Sequence, residues 1–205
     1  MTQSLDYLRE SASQTAGPYV HIGLAPAAAG FDIFENELGK DIAGPNAKGE
    51  KIKVKGLVID GTGSPVKDVL LEVWQANSEG NYAHPEGGEV EEGFRGWGRV
   101  ITNFETGEWT FDTVKPGATA GRYGKTQAPH LNIWIVARGI NVGLNTRMYF
   151  EDETEANAAD PVLNMIEWEN RRATLIAKRD LSGEVPVYSF EIRLQGEAET
   201  VFFDI

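Results

Sequence analysis

Three histidines and no cysteine leave this 205-residue chain few routes to metal or nucleophilic chemistry. Without thiols there is no disulfide scaffold, thiolate zinc site, iron–sulfur cluster or cysteine nucleophile, so any metal ion would depend mainly on carboxylate or phenolate oxygen. The segment Pro129-His130-Leu131-Asn132-Ile133-Trp134 reads as a strand, on which alternate residues share a face. His130 and Asn132 then point one way, Leu131 and Ile133 the other. Two imidazoles at that spacing would converge on one ion, but the amide of Asn132 is a weak donor for a highly charged transition metal. Taken alone, His130 is a histidine satisfied by hydrogen bonds at a strand start. From Trp74 to His84 a strand runs into a turn that presents Tyr82, ordinarily a loop packing residue. In Thr15-Ala16-Gly17-Pro18-Tyr19 the Gly-Pro pair fixes a tight backbone and admits close approach by another molecule. A plain turn is the simpler reading.

Other charged clusters offer less. Glu151-Asp152-Glu153 with Glu155 lacks the alternating ligands and internal glycine of a calcium loop, so a solvated loop or helix start is expected. Glu86, Glu89, Glu91 and Glu92 sit among glycines and read as an exposed loop. Neither a Ser-His-Asp arrangement nor a phosphate-cradling glycine loop stands out. With 31 acids against 19 Lys and Arg, the net charge is −12, which argues against nucleic acid as a partner. No run approaches the roughly 20 apolar residues of a membrane span. Residues 1–16 carry Asp6, Arg9 and Glu10 and lack the apolar core of a signal peptide. A cytoplasmic protein is expected.

The elements that must position these residues are mostly strands. Gly and Pro punctuate short runs rich in Val, Ile, Thr and aromatics, the pattern of a mainly β fold. Ile52 and Val54 alternate with Lys53 and Lys55. Val69 to Trp74 is nearly all apolar and belongs in the middle of a sheet. Glu108-Trp109-Thr110-Phe111 alternates, Leu131 to Val136 is largely apolar, and Tyr188, Phe190, Ile192 and Leu194 share a face. A β-sandwich of mostly antiparallel strands is expected, with one or two short helices. One helix is predicted from an Asp160 N-cap and Pro161 at N1, its stripe of Ile166, Leu175 and Ile176 reaching Lys178. Another is predicted over Phe31 to Leu38. Residues 1–205 read as one domain, with 1–48 as an N-terminal arm that wraps a partner or its own sandwich.

Several segments resemble the intradiol ring-cleaving dioxygenases. They are Thr15–Tyr19, Leu71-Glu72-Val73-Trp74-Gln75-Ala76, Lys115-Pro116-Gly117, Ala128-Pro129-His130, Ala137-Arg138-Gly139-Ile140-Asn141, Thr146-Arg147-Met148-Tyr149-Phe150 and the ending from Gln195 to Ile205. The resemblance covers nearly the whole chain. It implies a ferric iron held, in catalytic chains, by two tyrosines and two histidines. Tyr82 and His130 occupy two of those places, while Thr119 and Asn132 stand where the other tyrosine and histidine would be. Tyr123, four residues after Thr119, is the one phenol offered as a replacement. By the same resemblance, this chain has no catalytic residue and no metal of its own, and carries Tyr82, Thr119, His130 and Asn132 as remnants. Fe(III) would lie in a partner beta subunit of the same fold, in a higher oligomer of alpha–beta pairs. Gly17, Pro18 and Arg138 would reach the partner's pocket, where protocatechuate and O2 react. Without the resemblance, Arg138 is a surface salt bridge. Two alternatives stay open: a self-sufficient enzyme with Tyr82, Tyr123 and His130 as ligands, and a non-enzymatic β-sandwich binding module, suggested by the turn pattern of Lys55 to Val66. The apolar tail Val201-Phe202-Phe203 is expected to need cover from a partner.

Overall fold

Alternation between apolar and charged side chains sets the strands of this chain, whose structure, a computed structural model, describes residues 15–35, 37–141 and 143–204. The strands are β1 (Lys51–Ile59), β2 (Val69–Gln75), β3 (Trp97–Ile101), β4 (Glu108–Val114), β5 (Thr119–Ala120), β6 (Thr126–Gln127), β7 (His130–Ala137), β8 (Leu144–Phe150), β9 (Ile176–Asp180), β10 (Val187–Ser189) and β11 (Ile192–Arg193). A nine-stranded sheet runs β11-β1-β10-β9-β8-β7-β2-β3, with β4 on the other edge of β1, while β5 and β6 form a separate ribbon. Because β3 at the end of that path also packs against β4, the sheet curls back on itself and is nearly closed. Most pairs are antiparallel, and the parallel ones are β1 with β10 and β11, and β8 with β9. The expected mainly β, mostly antiparallel architecture is therefore the one observed.

The core fills the space between the walls of this curl. β1 buries Ile52, Val54 and Val58 while its lysines face out or lie at the edge, and β4 buries Trp109 and Phe111 opposite them. β2, buried along nearly its whole length, lies between β3 and β7. Leu131, Ile133, Met148, Phe150, Tyr188 and Ile192 close the same cluster. Each large apolar side chain buried this way contributes roughly 1.5–3 kcal/mol. A smaller cluster of Ala128, Tyr149, Leu163 and Leu175 packs around the start of β7 and the end of β8.

Helices are short and peripheral: α1 (Pro18–Leu24), α2 (Thr154–Ala159) and α3 (Glu169–Ala173). The predicted helix from Asp160 to Lys178 is not formed. Asp160 does cap backbone, its Oδ1 accepting the N–H groups of Val162 and Leu163 at 2.7 and 2.8 Å. Only a 3-10 turn, Leu163–Met165, follows before α3, and Ile176 onward is taken by β9. There Tyr149 and Phe150 pair with Ile176 and Ala177, so sheet pairing overrides the helical spacing. Phe31 to Leu38 is likewise irregular, not helical, at its described residues. In the acidic run, Thr154 does start a helix, but Asp152 is no freely solvated group: Lys115 Nζ lies 2.7 Å from it and the Tyr188 hydroxyl donates to it at 2.9 Å. The tail also departs from expectation. Phe202 packs on the main core, Val201 and Phe203 on the smaller cluster, and Phe203 bridges to Asn145. It is largely, though not fully, covered by its own chain.

Candidate functional site

The turn after β2 carries Tyr82 back over the sheet. Asn77 Oδ1 accepts the N–H groups of Glu79 and Asn81, and Gly80 adopts a φ of +87°, a conformation that favours glycine. A Cβ at Gly80 would lie 1.9 Å from the Ala118 carbonyl oxygen, so glycine also lets the turn press against the segment before Thr119. Tyr82 thereby packs on Trp74, ring centroids 4.9 Å apart, and reaches the start of β7. Its Oη lies 3.2 Å from His130 Nε2 and accepts from Asn132 Nδ2 at 3.1 Å.

The proton positions are set by the partners. His130 Nδ1 lies 2.8 Å from the Ala128 carbonyl oxygen, which can only accept, so Nδ1 carries the proton. Nε2 is then the acceptor of the Tyr82 hydroxyl. Burial, reinforced by the positive charge of Arg147, pushes His130 down to about 4, and burial pushes the Tyr82 phenol up. Near neutral pH the pair is an uncharged imidazole and an uncharged phenol. Thr119 is buried at the start of β5, with a hydroxyl that has no hydrogen-bond partner. Tyr123 sits at the tip of the β5–β6 ribbon with φ +60° and is 96% exposed, so it does not join the buried pair. Among the described residues no group of three or more His, Asp or Glu converges as a metal cluster would.

Strand pairing adds residues that the sequence reading missed. On β8, Arg147 lies directly opposite Asn132 and Tyr149 opposite His130. Arg147 Nη1 donates to Gln127 Oε1 at 2.6 Å and to Tyr149 Oη at 3.4 Å. Tyr149, its phenol pushed well up chiefly by burial, donates in turn to Asp160 at 3.3 Å. Asp160 is fully buried and accepts the Ala128 N–H at 2.7 Å. The alternation Arg147-x-Tyr149 was visible. Its meaning depends on knowing that β8 pairs with β7.

At the other end of β7 the chain turns through Arg138. Its Nε donates to Asp68 Oδ2 at 2.9 Å, and Nη2 reaches the same oxygen. The Arg138 side chain is nonetheless 71% exposed. Thr15 in the arm clips onto both neighbours of Arg138, donating to the Ala137 carbonyl at 3.3 Å and accepting the Gly139 N–H at 2.8 Å. The structure thus brings the Gly17 segment to Arg138. Gly17 is the N-cap of α1, with an open space where a Cβ would stand, and Pro18 supplies its first residue. His21 of α1, also missed in the sequence, is buried edge-on to Phe104 at 5.8 Å. Burial lowers its pKa, opposed by the charge of Asp68 and aided by that of Arg138. Beside Arg138 runs an open groove of about 800 Å³ that Asp60, Lys67, Asp68 and Phe104 help to line. At about 3.3 Å per residue, Arg138 lies roughly 25 Å along β7 from His130.

Comparison with known proteins places these features in context. A family model described as Dioxygenase matches residues 28–196. The chain is 52% identical over 201 residues to the protocatechuate 3,4-dioxygenase alpha chain of Pseudomonas putida, across 98% of each sequence. It is 35% identical to the protocatechuate 3,4-dioxygenase beta chain of Burkholderia cepacia, across 74% of this chain and 67% of that one. Among solved structures, the dioxygenase domain of a carbohydrate-binding fusion from Streptomyces sp. SirexAA-E shares the fold, with a TM-score of 0.54, 21% identity and coverage of 79% of this chain and 88% of that one.

Proposed function

This chain belongs to the intradiol dioxygenase family, and from that membership we propose that it is the alpha-type subunit of a protocatechuate-cleaving enzyme, holding no iron and completing the pocket of an iron-bearing beta subunit. The observation that carries this reading is the separation of its two sites along β7. Arg138 stands roughly 25 Å from His130, too far to serve any reaction centred on Tyr82 and His130 of the same chain. An exposed guanidinium fixed at that distance is useful to an active centre that another chain brings to it.

The family depends on ferric iron, and the residues at Tyr82 do not fit that ion. Fe(III) is hard and needs anionic oxygen donors. Tyr82 keeps its proton in the bond to His130, the His130 lone pair is engaged, and Asn132 presents N–H rather than oxygen.

At the other end the chemistry suits a substrate that carries a carboxylate besides its catechol. Asp68 takes one edge of the Arg138 guanidinium, leaving N–H donors for a second anion. Gly17 and Pro18, drawn to the same corner by Thr15, are proposed to wall the pocket, since the open space at Gly17 admits close approach by another molecule. With the partner's metal, the complex would take protocatechuate and O2 to 3-carboxy-cis,cis-muconate. Tyr19, Ile33, Phe34 and Leu38 are all exposed along the arm, apolar surface suited to a partner. We place the complex, a higher oligomer of alpha–beta pairs, in the cytoplasm.

Co-expression with the beta subunit tests this. The two chains are expected to co-elute on size exclusion, and iron is expected on the complex and on the beta chain but not on this chain purified alone. Separate elution, or stoichiometric iron on this chain purified alone, would sink the reading.

A further inference from the structure

The sheet places a cation beside Asn132, the position at which the family resemblance expects a second histidine. Arg147 and Asn132 are directly opposed on β8 and β7, which brings their Cβ atoms to about 5 Å on a common face. Two residues along, His130 faces Tyr149, ring centroids 5.7 Å apart. The guanidinium is held in place by Gln127 Oε1 at 2.6 Å and Tyr149 Oη at 3.4 Å. Both of those partners are uncharged, and the carboxylate of Asp160 is linked to Arg147 through the Tyr149 hydroxyl. Among the described residues the Arg147 guanidinium thus has no carboxylate in direct contact, and its charge lies on the strand face that Asn132 shares with His130.

We propose that Arg147 stands in for the lost metal, supplying the positive charge at this end of β7 and keeping a ferric ion away from the Tyr82–His130 pair. This rests on the reading that the chain holds no iron. It goes further by naming a second barrier besides the missing ligands. A trivalent ion and a guanidinium held on one partly buried strand face repel each other more than they would in bulk water. Restoring a phenolate and an imidazole is then insufficient unless the arginine is removed as well.

The test uses the full chain in four forms: wild type, Thr119→Tyr/Asn132→His, that pair with Arg147→Gln, and that pair with Arg147→Lys. Each is checked for fold by circular dichroism, offered ferric citrate, desalted and assayed for iron and for the visible tyrosinate-to-iron absorption band. We expect about one iron per chain and a coloured protein only with Arg147→Gln, and less than about a tenth of an iron per chain in the other three. An iron-loaded two-ligand variant, or a folded Gln variant that stays colourless, overturns the role of Arg147. Iron on the wild type instead overturns the reading beneath it. Should the four-ligand variants not fold, Asn132→His/Arg147→Gln carries the test with Co(II), which imidazole pairs suit. It should bind Co(II) about tenfold more tightly than Asn132→His alone or Asn132→His/Arg147→Lys, and equal affinities overturn the proposal.

Discussion

Arg138 and His130 show how residues on one strand can have opposite fates. Arg138 is exposed and anchored by Asp68, so its removal should cost binding rather than folding. A charged hydrogen bond contributes about 1.5–3 kcal/mol, which predicts that Arg138→Ala raises the KM for protocatechuate about 10- to 100-fold in the complex. Iron content and kcat should change little. Asp68→Asn should give a smaller rise in KM, because the guanidinium remains but loses its anchor, and steady-state kinetics on both variants checks this. Unchanged kinetics for Arg138→Ala would remove it from the pocket. His130 behaves differently, since its folded pKa is depressed from 6.5 to about 4. Between those values the unfolded chain binds more protons, so the contribution is fully present above pH 6.5 and is lost as pH falls towards 4. The loss amounts to about 3 kcal/mol. Urea unfolding at pH 7 and 4.5 should show a smaller difference in His130→Gln than in wild type. Tyr82, His130 and Asn132 were legible because strand alternation and motif spacing are local. Arg147 and Asp160 were not, because their place at the site comes from pairing and packing partners elsewhere in the sequence.

Elements were read best where the pattern was unambiguous. The continuous apolar run of β2 and the alternation of β4 both became what they predicted. The stretch from Asp160 to Lys178 misled, because a proline after a capping carboxylate begins a 3-10 turn as readily as a long helix. Here the carboxylate has other duties: it binds the Ala128 N–H before β7 and the Tyr149 hydroxyl on β8 as well as the turn. Asp160 thus ties three segments together around the smaller core cluster. Replacing it with alanine leaves buried N–H donors unpaired, at about 1–3 kcal/mol each. Asp160→Ala should therefore destabilise the chain by about 3 kcal/mol or more. Amide exchange should accelerate first at Ala128 and across Val162 to Met165. A melting temperature equal to wild type would show that the turn is held by something else.

At the scale of the whole molecule, the two ends of the chain divide the work of burial. The tail was expected to need a partner, yet Val201, Phe202 and Phe203 lie against this chain's own clusters. The arm is the reverse: Tyr19, Ile33, Phe34 and Leu38 remain exposed although Thr15 pins the arm to the turn at Arg138. A chain of net charge −12 gains solubility from that charge, so apolar exposure along the arm is better explained by a surface that another subunit covers. The contrast gives a paired prediction. Ile33→Asp with Phe34→Asp should leave the chain's own melting temperature within about 1–2 °C of wild type, as surface changes do, while weakening association with the beta subunit at least tenfold. Phe202→Ala should do the opposite, lowering the melting temperature by removing a core-packed ring and leaving association intact at temperatures where the chain is folded. Thermal unfolding of the isolated chain, and analytical ultracentrifugation of the mixed subunits, separate the two. If the arm variant melts early and still assembles, the exposed arm is packing on its own sandwich in solution, and the partner must be held by another face.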